Sequence, residues 1–144
     1  MASTYTTNIR LTKQGDGDNA NTWGEILNNV LSLVDQAVGS YTTITVGATS
    51  SVALTENQGS ADQSRSAVLE IAGTVGGAHT SIFVYLPAGA SKTYAIKNAV
   101  SANTTASDAV VLRVAGQTHG VTVPTGGVGY FFTNGTSVNT LNAS

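Results

Sequence analysis

The most constraining feature of this sequence is a succession of short segments with period-two alternation, which fills nearly everything after Gly39. Such alternation places successive side chains on opposite faces of a β-strand. Glycine, proline or asparagine separates many of the segments, and no gap between them is long enough for a helical crossover. The segments lie at 41–47, 50–55, 66–72, 80–87, 92–99, 108–115, 119–124, 127–133 and 136–141.

These segments predict a mainly β domain of about eight to nine short strands. Short strands at close spacing, without helices between them, favour antiparallel pairing, hence an antiparallel β-sandwich or a jelly-roll-like domain. Gly76-Gly77 and Asn134-Gly135 suit tight turns between strands. The side chains expected to point inward are Ile44, Val46, Val52, Leu54, Leu69, Ile71, Ile82, Val84, Leu86, Tyr94, Ile96, Val110, Leu112, Val114, Val121 and Val123.

One short amphipathic helix is predicted ahead of this region, over residues 22–39. Thr22-Trp23-Gly24-Glu25 fits a capping box at its start, and Gly39 fits a left-handed glycine at its end. A short helix with apolar residues on more than one side needs cover, so we expect one face to form a self-association seam. The alternative is that a single subunit buries every face. The seam residues, at spacings of four and three, are Trp23, Leu27, Val30, Val34 and Ala37.

The polar residues 1–21 are expected to form an extended N-terminal arm. They lack the basic and apolar segments of a signal peptide. The chain thus divides into the arm at 1–21, the helix at 22–39 and a β domain at 40–144. The arm residues expected to dock on a partner are Tyr5, Ile9, Arg10 and Leu11.

Composition favours assembly with other proteins. Only 10% of the residues are charged, and hydroxyl or amide groups that find partners cost less to bury than charges do. Phe83, Tyr85 and Phe131 lie in the opposite phase from the inward set and form a possible second interface. The net charge of −2, without a basic run, indicates no nucleic-acid partner. No apolar run is long enough to span a bilayer, so no membrane partner is expected.

The sequence favours neither a catalytic site nor a cofactor. It contains no cysteine, and His79 and His119 lack carboxylates at ligand spacing. Asp16-Gly17-Asp18 begins like a calcium loop, but later positions do not supply the ligands. Glu56 and Asp62 could serve as the acid and base of a glycosidase, although a solvated loop explains them better. We therefore predict a non-enzymatic protein without a cofactor.

Short strings along nearly the whole chain carry a resemblance. They include Asn21-Thr22-Trp23-Gly24, Ala61-Asp62-Gln63-Ser64-Arg65 and Tyr94-Ala95-Ile96-Lys97-Asn98. In these strings the chain resembles the N-terminal module of bacteriophage tail-fibre-type virion structural proteins, as a short stand-alone member. The resemblance implies a particle-proximal virion component that is commonly trimeric. Because no signal peptide is recognised, we expect the protein to be made in the host cytoplasm. Its partners would be further copies of itself and tail, neck or major capsid proteins.

The sequence leaves three roles open. The first is a short tail fibre or adaptor-like component that self-associates as a homotrimer and docks on the particle. The second is a head decoration (cement) protein that clamps capsid subunits with its arm. The third is a carbohydrate-binding receptor-recognition module. Because the sequence ends soon after the β region, we expect neither a fibre shaft nor a receptor-binding tip.

Overall fold

The computed structural model describes residues 2–46, 51–74, 81–101 and 109–141, which contain one α-helix and eleven strands. Each of the nine predicted segments overlaps one strand of the β domain, so the prediction of a mainly β, sandwich-like domain behind one helix is confirmed. A 3-10 turn spans Gln63–Arg65. The elements are β1 (Thr4–Tyr5), β2 (Thr12–Lys13), α1 (Trp23–Gly39), β3 (Tyr41–Thr45), β4 (Ser51–Ala53), β5 (Val68–Thr74), β6 (Ser81–Leu86), β7 (Ser91–Ser101), β8 (Ala109–Val114), β9 (Gly120–Val123), β10 (Val128–Asn134) and β11 (Val138–Thr140).

The nine strands of the β domain form two sheets, and their pairing is mixed. One sheet has the order β11-β10-β7-β5-β3 and the other has the order β4-β6-β8-β9. The expectation of purely antiparallel pairing is wrong, because β3–β5, β5–β7, β4–β6 and β6–β8 pair in parallel. From β3 to β8 the chain alternates between the sheets, so each return to a sheet runs in the same direction as before. A strand of the facing sheet thus serves as the crossover that a helix usually provides.

The two sheets form three turns of a flattened coil, and the last strands close one end of it. β9 pairs antiparallel with β8, and β10 pairs antiparallel with both β7 and β11. β9 and β11 lie against each other at this end. At the opposite end, β3 and β4 are the outermost strands, and α1 runs directly into β3.

The core lies between the sheets and matches the predicted inward phase. All predicted inward side chains belong to it, with Val52 and Val121 partly buried against the others. Val100, Phe131 and Val138 are also buried there, although the sequence pattern did not place them inward. The turn predicted at Gly76-Gly77 lies outside the described residues, as does His79.

Both helix ends are closed differently from the prediction. Thr22 precedes α1 with a ψ of 8° and makes no side-chain cap, so the capping box is wrong: this backbone geometry is not the extended one that a capping side chain needs. Gly39 is the last helical residue rather than a left-handed one. Ser40 ends the helix instead, because its amide and its hydroxyl both donate to the carbonyl of Gln36.

Candidate functional site

One side of α1 carries a continuous apolar stripe that faces solvent. Because each helical residue turns by about 100°, positions 23, 27, 31, 34 and 38 fall within a sector of about 80°. We call these residues the helix stripe. Their exposed fractions are 59% for Trp23, 45% for Leu27, 57% for Leu31, 37% for Val34 and 76% for Val38. Large apolar side chains are rarely exposed together on an ordinary protein surface, and such a patch often marks an interaction surface.

Contacts on the opposite side of α1 determine which residues face outward. Leu33 is buried. The Asn29 side-chain amide donates to the carbonyl of Gly59 over 2.8 Å. The Gln36 side-chain amide donates to the carbonyl of Asp62 over 2.9 Å. These contacts fix the rotation of the helix about its own axis.

Only three of the five predicted seam residues belong to the helix stripe. Trp23, Leu27 and Val34 are exposed as members of the helix stripe. Val30 and Ala37 are half-buried, on the side of the helix that turns toward Leu33. Leu31 and Val38 take their place in the stripe. The sequence contained both within its wider apolar sector, but only the tertiary contacts reveal which edge of that sector is covered.

Asp62 is the centre of a buried loop rather than a solvated carboxylate. Its side chain accepts hydrogen bonds from the Asn57 amide at 2.8 Å, the Ser64 hydroxyl at 2.9 Å and the Arg65 amide at 2.8 Å. It also pairs with the Arg65 guanidinium at 3.2 Å. All of these donors belong to the same loop, so both carboxylate oxygens of Asp62 are engaged in holding the loop together. This arrangement leaves Asp62 unsuited to the glycosidase role considered from the sequence.

Arg65 joins this loop to the N-terminal arm. Its side chain is almost completely buried and donates to the carbonyls of Asn57 at 2.8 Å and Ser60 at 3.1 Å. It also donates to the carbonyl of Ile9 in the arm. Burying a guanidinium is costly unless its donors find acceptors. Here Nη1 and Nη2 have backbone acceptors and a carboxylate, whereas the buried Nε makes no hydrogen bond among the described residues.

The arm is held on its own subunit, and its docking on a partner stays a prediction. Ile9, Arg10 and Leu11 are all half-buried. Arg10 has a φ of +52°, its carbonyl accepts from the Gly59 amide at 2.9 Å, and its Nε lies 3.7 Å from Glu56. A bulky residue keeps such a backbone conformation only where contacts on both sides hold it. Of the four predicted docking residues, Tyr5 alone is classed as exposed, at 41%.

Glu56 is the remaining carboxylate of this region. Burial, with a smaller contribution from the Asp62 charge, raises the pKa of Glu56, while attraction to Arg10 opposes the rise. Its contact with Arg10 fastens the arm to the loop. We therefore infer that Glu56 fixes the arm, and that Glu56 and Asp62 both have structural roles.

The possible second interface does not hold together as one surface. Phe131 is 4% exposed and belongs to the core. It points inward together with Gly129 and Thr133, while its bulky neighbours Tyr130 and Phe132 point outward. Phe83 and Tyr85 are half-buried on the outer face of the four-stranded sheet, with ring centroids 6.4 Å apart. The Arg113 guanidinium lies 4.1 Å over the Phe83 ring and covers part of it.

No family model, curated protein or solved structure matches the chain.

Among the described residues, no group of three or more His, Cys, Asp or Glu side chains could hold a metal ion. His119 is exposed in the turn before β9. No helix in the same residues combines the length and the apolar composition needed to cross a membrane. The helix stripe is thus the feature that most directly suggests a function.

Proposed function

We propose that this protein is a non-enzymatic bacteriophage virion structural protein that self-associates as a homotrimer and docks on the particle as a short tail-fibre or adaptor-like component. Self-association would proceed through the helix stripe. The protein would act by adding buried contact area to the particle, without chemistry at a catalytic centre.

The observation that carries this proposal is the exposure of the helix stripe. Trp23, Leu31 and Val38 are each more than half exposed, although the core between the sheets is otherwise well covered. Removing apolar surface from water contributes about 25 cal/mol per Å2, so covering this stripe would drive association. The resemblance to tail-fibre-type proteins supports the virion role and the threefold symmetry.

A pair of double variants tests self-association. Leu27→Glu with Leu31→Glu places two charges inside the proposed contact, where desolvation would oppose assembly. Because both side chains are exposed in the single chain, we expect a folded monomer by light scattering. Asn28→Glu with Ser32→Glu is the matched control, since it adds the same charges at the same spacing outside the stripe. An unchanged oligomer in the first variant would contradict the proposal.

Labelled imaging tests the location. Gold-conjugated antibodies against the purified protein should decorate the tail or neck of intact phage particles in negative-stain micrographs. Label spread over the head shell would instead support the decoration role. Particles that carry no label anywhere would overturn the virion assignment itself.

A further inference from the structure

The outer face of the five-stranded sheet carries an apolar row that crosses β3, β5, β7 and β10 and ends just after β11. The strand register places Tyr41 beside Val68, Val68 beside Ala95, and Ala95 beside Tyr130. The Leu141 amide donates to the carbonyl of Tyr130 and completes the row. Tyr41, Tyr130 and Leu141 are 54%, 57% and 54% exposed. We call these five residues the sheet platform.

The platform has a relief suited to a rod-shaped partner. Val68 and Ala95 are small and half-buried, and they form a low floor between the two exposed tyrosines. Three strand intervals separate Tyr41 from Tyr130, or about 14 Å at the usual spacing. A helix that lies along the row crosses this interval with nine to ten of its residues, at about 1.5 Å per residue.

The charges on this face already have partners. Lys97 and Glu70 form an ion pair of 2.8 Å in the neighbouring row, and the Tyr41 hydroxyl also donates to Glu70. The second hydrogen bond anchors the Tyr41 ring at the margin of the platform. Covering the apolar row would therefore leave the Glu70 carboxylate with its two donors in place.

We propose that the sheet platform of one copy receives the helix stripe of the next copy. This inference rests on the proposed self-association and names the surface that covers the stripe. From Trp23 to Val38 the stripe is about 22 Å long, at 1.5 Å per residue. The platform is about 19 Å wide across its five strands. The two apolar surfaces therefore match in length.

Charge at the margin also favours this pairing. Asp35 lies at the margin of the stripe, about 80° from its centre, whereas Glu25 lies on the opposite side of α1, and the helix carries no basic residue. Lys97, whose side chain is 47% exposed, lies next to the platform. Two helix stripes facing each other would instead bring the Asp35 carboxylates of two copies to the margin of one contact, with no basic residue on either helix.

A contact between two different patches is heterologous, so it generates either a closed ring or an open filament. A closed ring of three copies agrees with the proposed trimer. Each copy would then contribute its stripe to one neighbour and its platform to the other, which covers both surfaces.

Cysteine cross-linking tests this pairing. The chain contains no cysteine, so native cysteines cannot form competing disulfides. Leu31→Cys lies in the middle of the stripe, and Ala95→Cys lies in the middle of the platform. The two variants, one with a mass tag, are co-expressed and oxidised mildly. We expect a disulfide-linked species that contains both variants. Leu31→Cys with Ala53→Cys, an exposed position on the outer face of the other sheet, is the control and should give none.

The possible outcomes separate this inference from the proposed function. Linkage of Leu31→Cys to itself would show helix–helix contact and overturn the inference, while self-association would stand. An oligomer without any linkage of stripe to platform would overturn it equally. A single-copy mass for the unmodified protein would overturn both.

A platform variant gives a second readout. Tyr130→Asp places a charge at an exposed position of the platform, so the subunit should fold, and we expect loss of the trimer by light scattering. Thr122→Asp, exposed on the outer face of the other sheet, should leave the trimer intact. A trimer that survives Tyr130→Asp would contradict the pairing, even if the stripe variant dissociates.

Discussion

At the level of single residues, the pair of Asp62 and Arg65 joins three parts of the chain that are far apart in sequence. Arg65 contacts the arm through Ile9, and the backbone of Asp62 contacts α1 through Gln36. The sequence identified this loop as part of a resemblance and as a polar segment. It could not reveal the burial, because a polar loop outside a sheet has no periodicity that reports which side chains are covered.

Asp62→Ala tests the structural role of this pair. It leaves the buried Arg65 guanidinium without its carboxylate, so we expect the free energy of unfolding to fall by about 3–5 kcal/mol in urea titrations. Lys97→Met is the control, because it removes an ion pair whose lysine is half exposed. The control should cost less than about 1 kcal/mol. Equal losses in the two variants would contradict the account of the loop.

Lys92 gives the fold a pH dependence in the alkaline range. Its ammonium donates to the carbonyl of Ser66 at 2.7 Å and lies 4.1 Å over the Tyr94 ring. Burial, with repulsion from Arg65, lowers the pKa of Lys92 to about 8, while attraction to Asp62 opposes the shift. The unfolded chain keeps this proton up to the ordinary pKa of 10.5. Between these two values the unfolded state binds more protons, so stability rises with pH.

The free energy of unfolding is measured by urea titration at about pH 8 and about pH 10. Below about pH 10, tyrosine ionisation contributes little. Over this interval we expect the free energy of unfolding of the unmodified protein to rise relative to that of Lys92→Met. Above about pH 10 the direction reverses, because burial raises the pKa of Tyr94 and the unfolded chain loses that proton first. Parallel pH profiles for the two proteins would contradict this assignment.

At the level of elements, the sequence predicted which segments are strands better than it predicted how they pair. Period-two alternation in β5, β6 and β8 reports the buried face of each strand. The same alternation arises whether a neighbour runs parallel or antiparallel, and it does not indicate the sheet to which a strand belongs. The crossover through a facing strand was therefore invisible in the pattern. In β10, Tyr130-Phe131-Phe132 is apolar in both phases, which explains the error at Phe131.

The helix shows the same limit. Its boundaries followed from the sequence, but the orientation of its faces depends on Leu33 and on hydrogen bonds to a distant loop. The apolar sector spans about 160° of the helix circumference, twice the width of the helix stripe, so the pattern alone permits several seams. A tertiary contact was needed to select the exposed one.

The close approach of β5 to the start of the coil depends on one glycine. Gly73 has a φ of +128°, and an added Cβ would overlap the carbonyl oxygen of Val46. Gly116, with a φ of +82°, has open space where its Cβ would lie. Gly73→Ala should therefore lower the unfolding midpoint clearly more than Gly116→Ala, for which we expect a cost of about 1 kcal/mol. Similar midpoints for the two variants would show that β3 and β5 can move apart without loss of stability.

At the level of the whole molecule, the coil of two sheets gives the subunit a well-covered interior and two uncovered apolar surfaces. The helix stripe and the sheet platform belong to different elements, although Val38 and Tyr41 are neighbours in sequence. Only 10% of the residues are charged, so hydroxyl and amide groups make up much of the remaining polar surface. Such groups can be buried against another protein when they find partners. On these grounds we propose that the protein functions by assembly.

The central claim is that neighbouring copies cover the helix stripe, and Trp23, the single tryptophan, reports on it directly. Its indole is 59% exposed in one subunit. Fluorescence and mass should be followed together through a dilution series. We predict the blue-shifted emission of a buried indole in the concentrated sample, and a red shift on dilution as the mass falls to one subunit. Red-shifted emission together with a single-copy mass at the highest concentration would contradict the account.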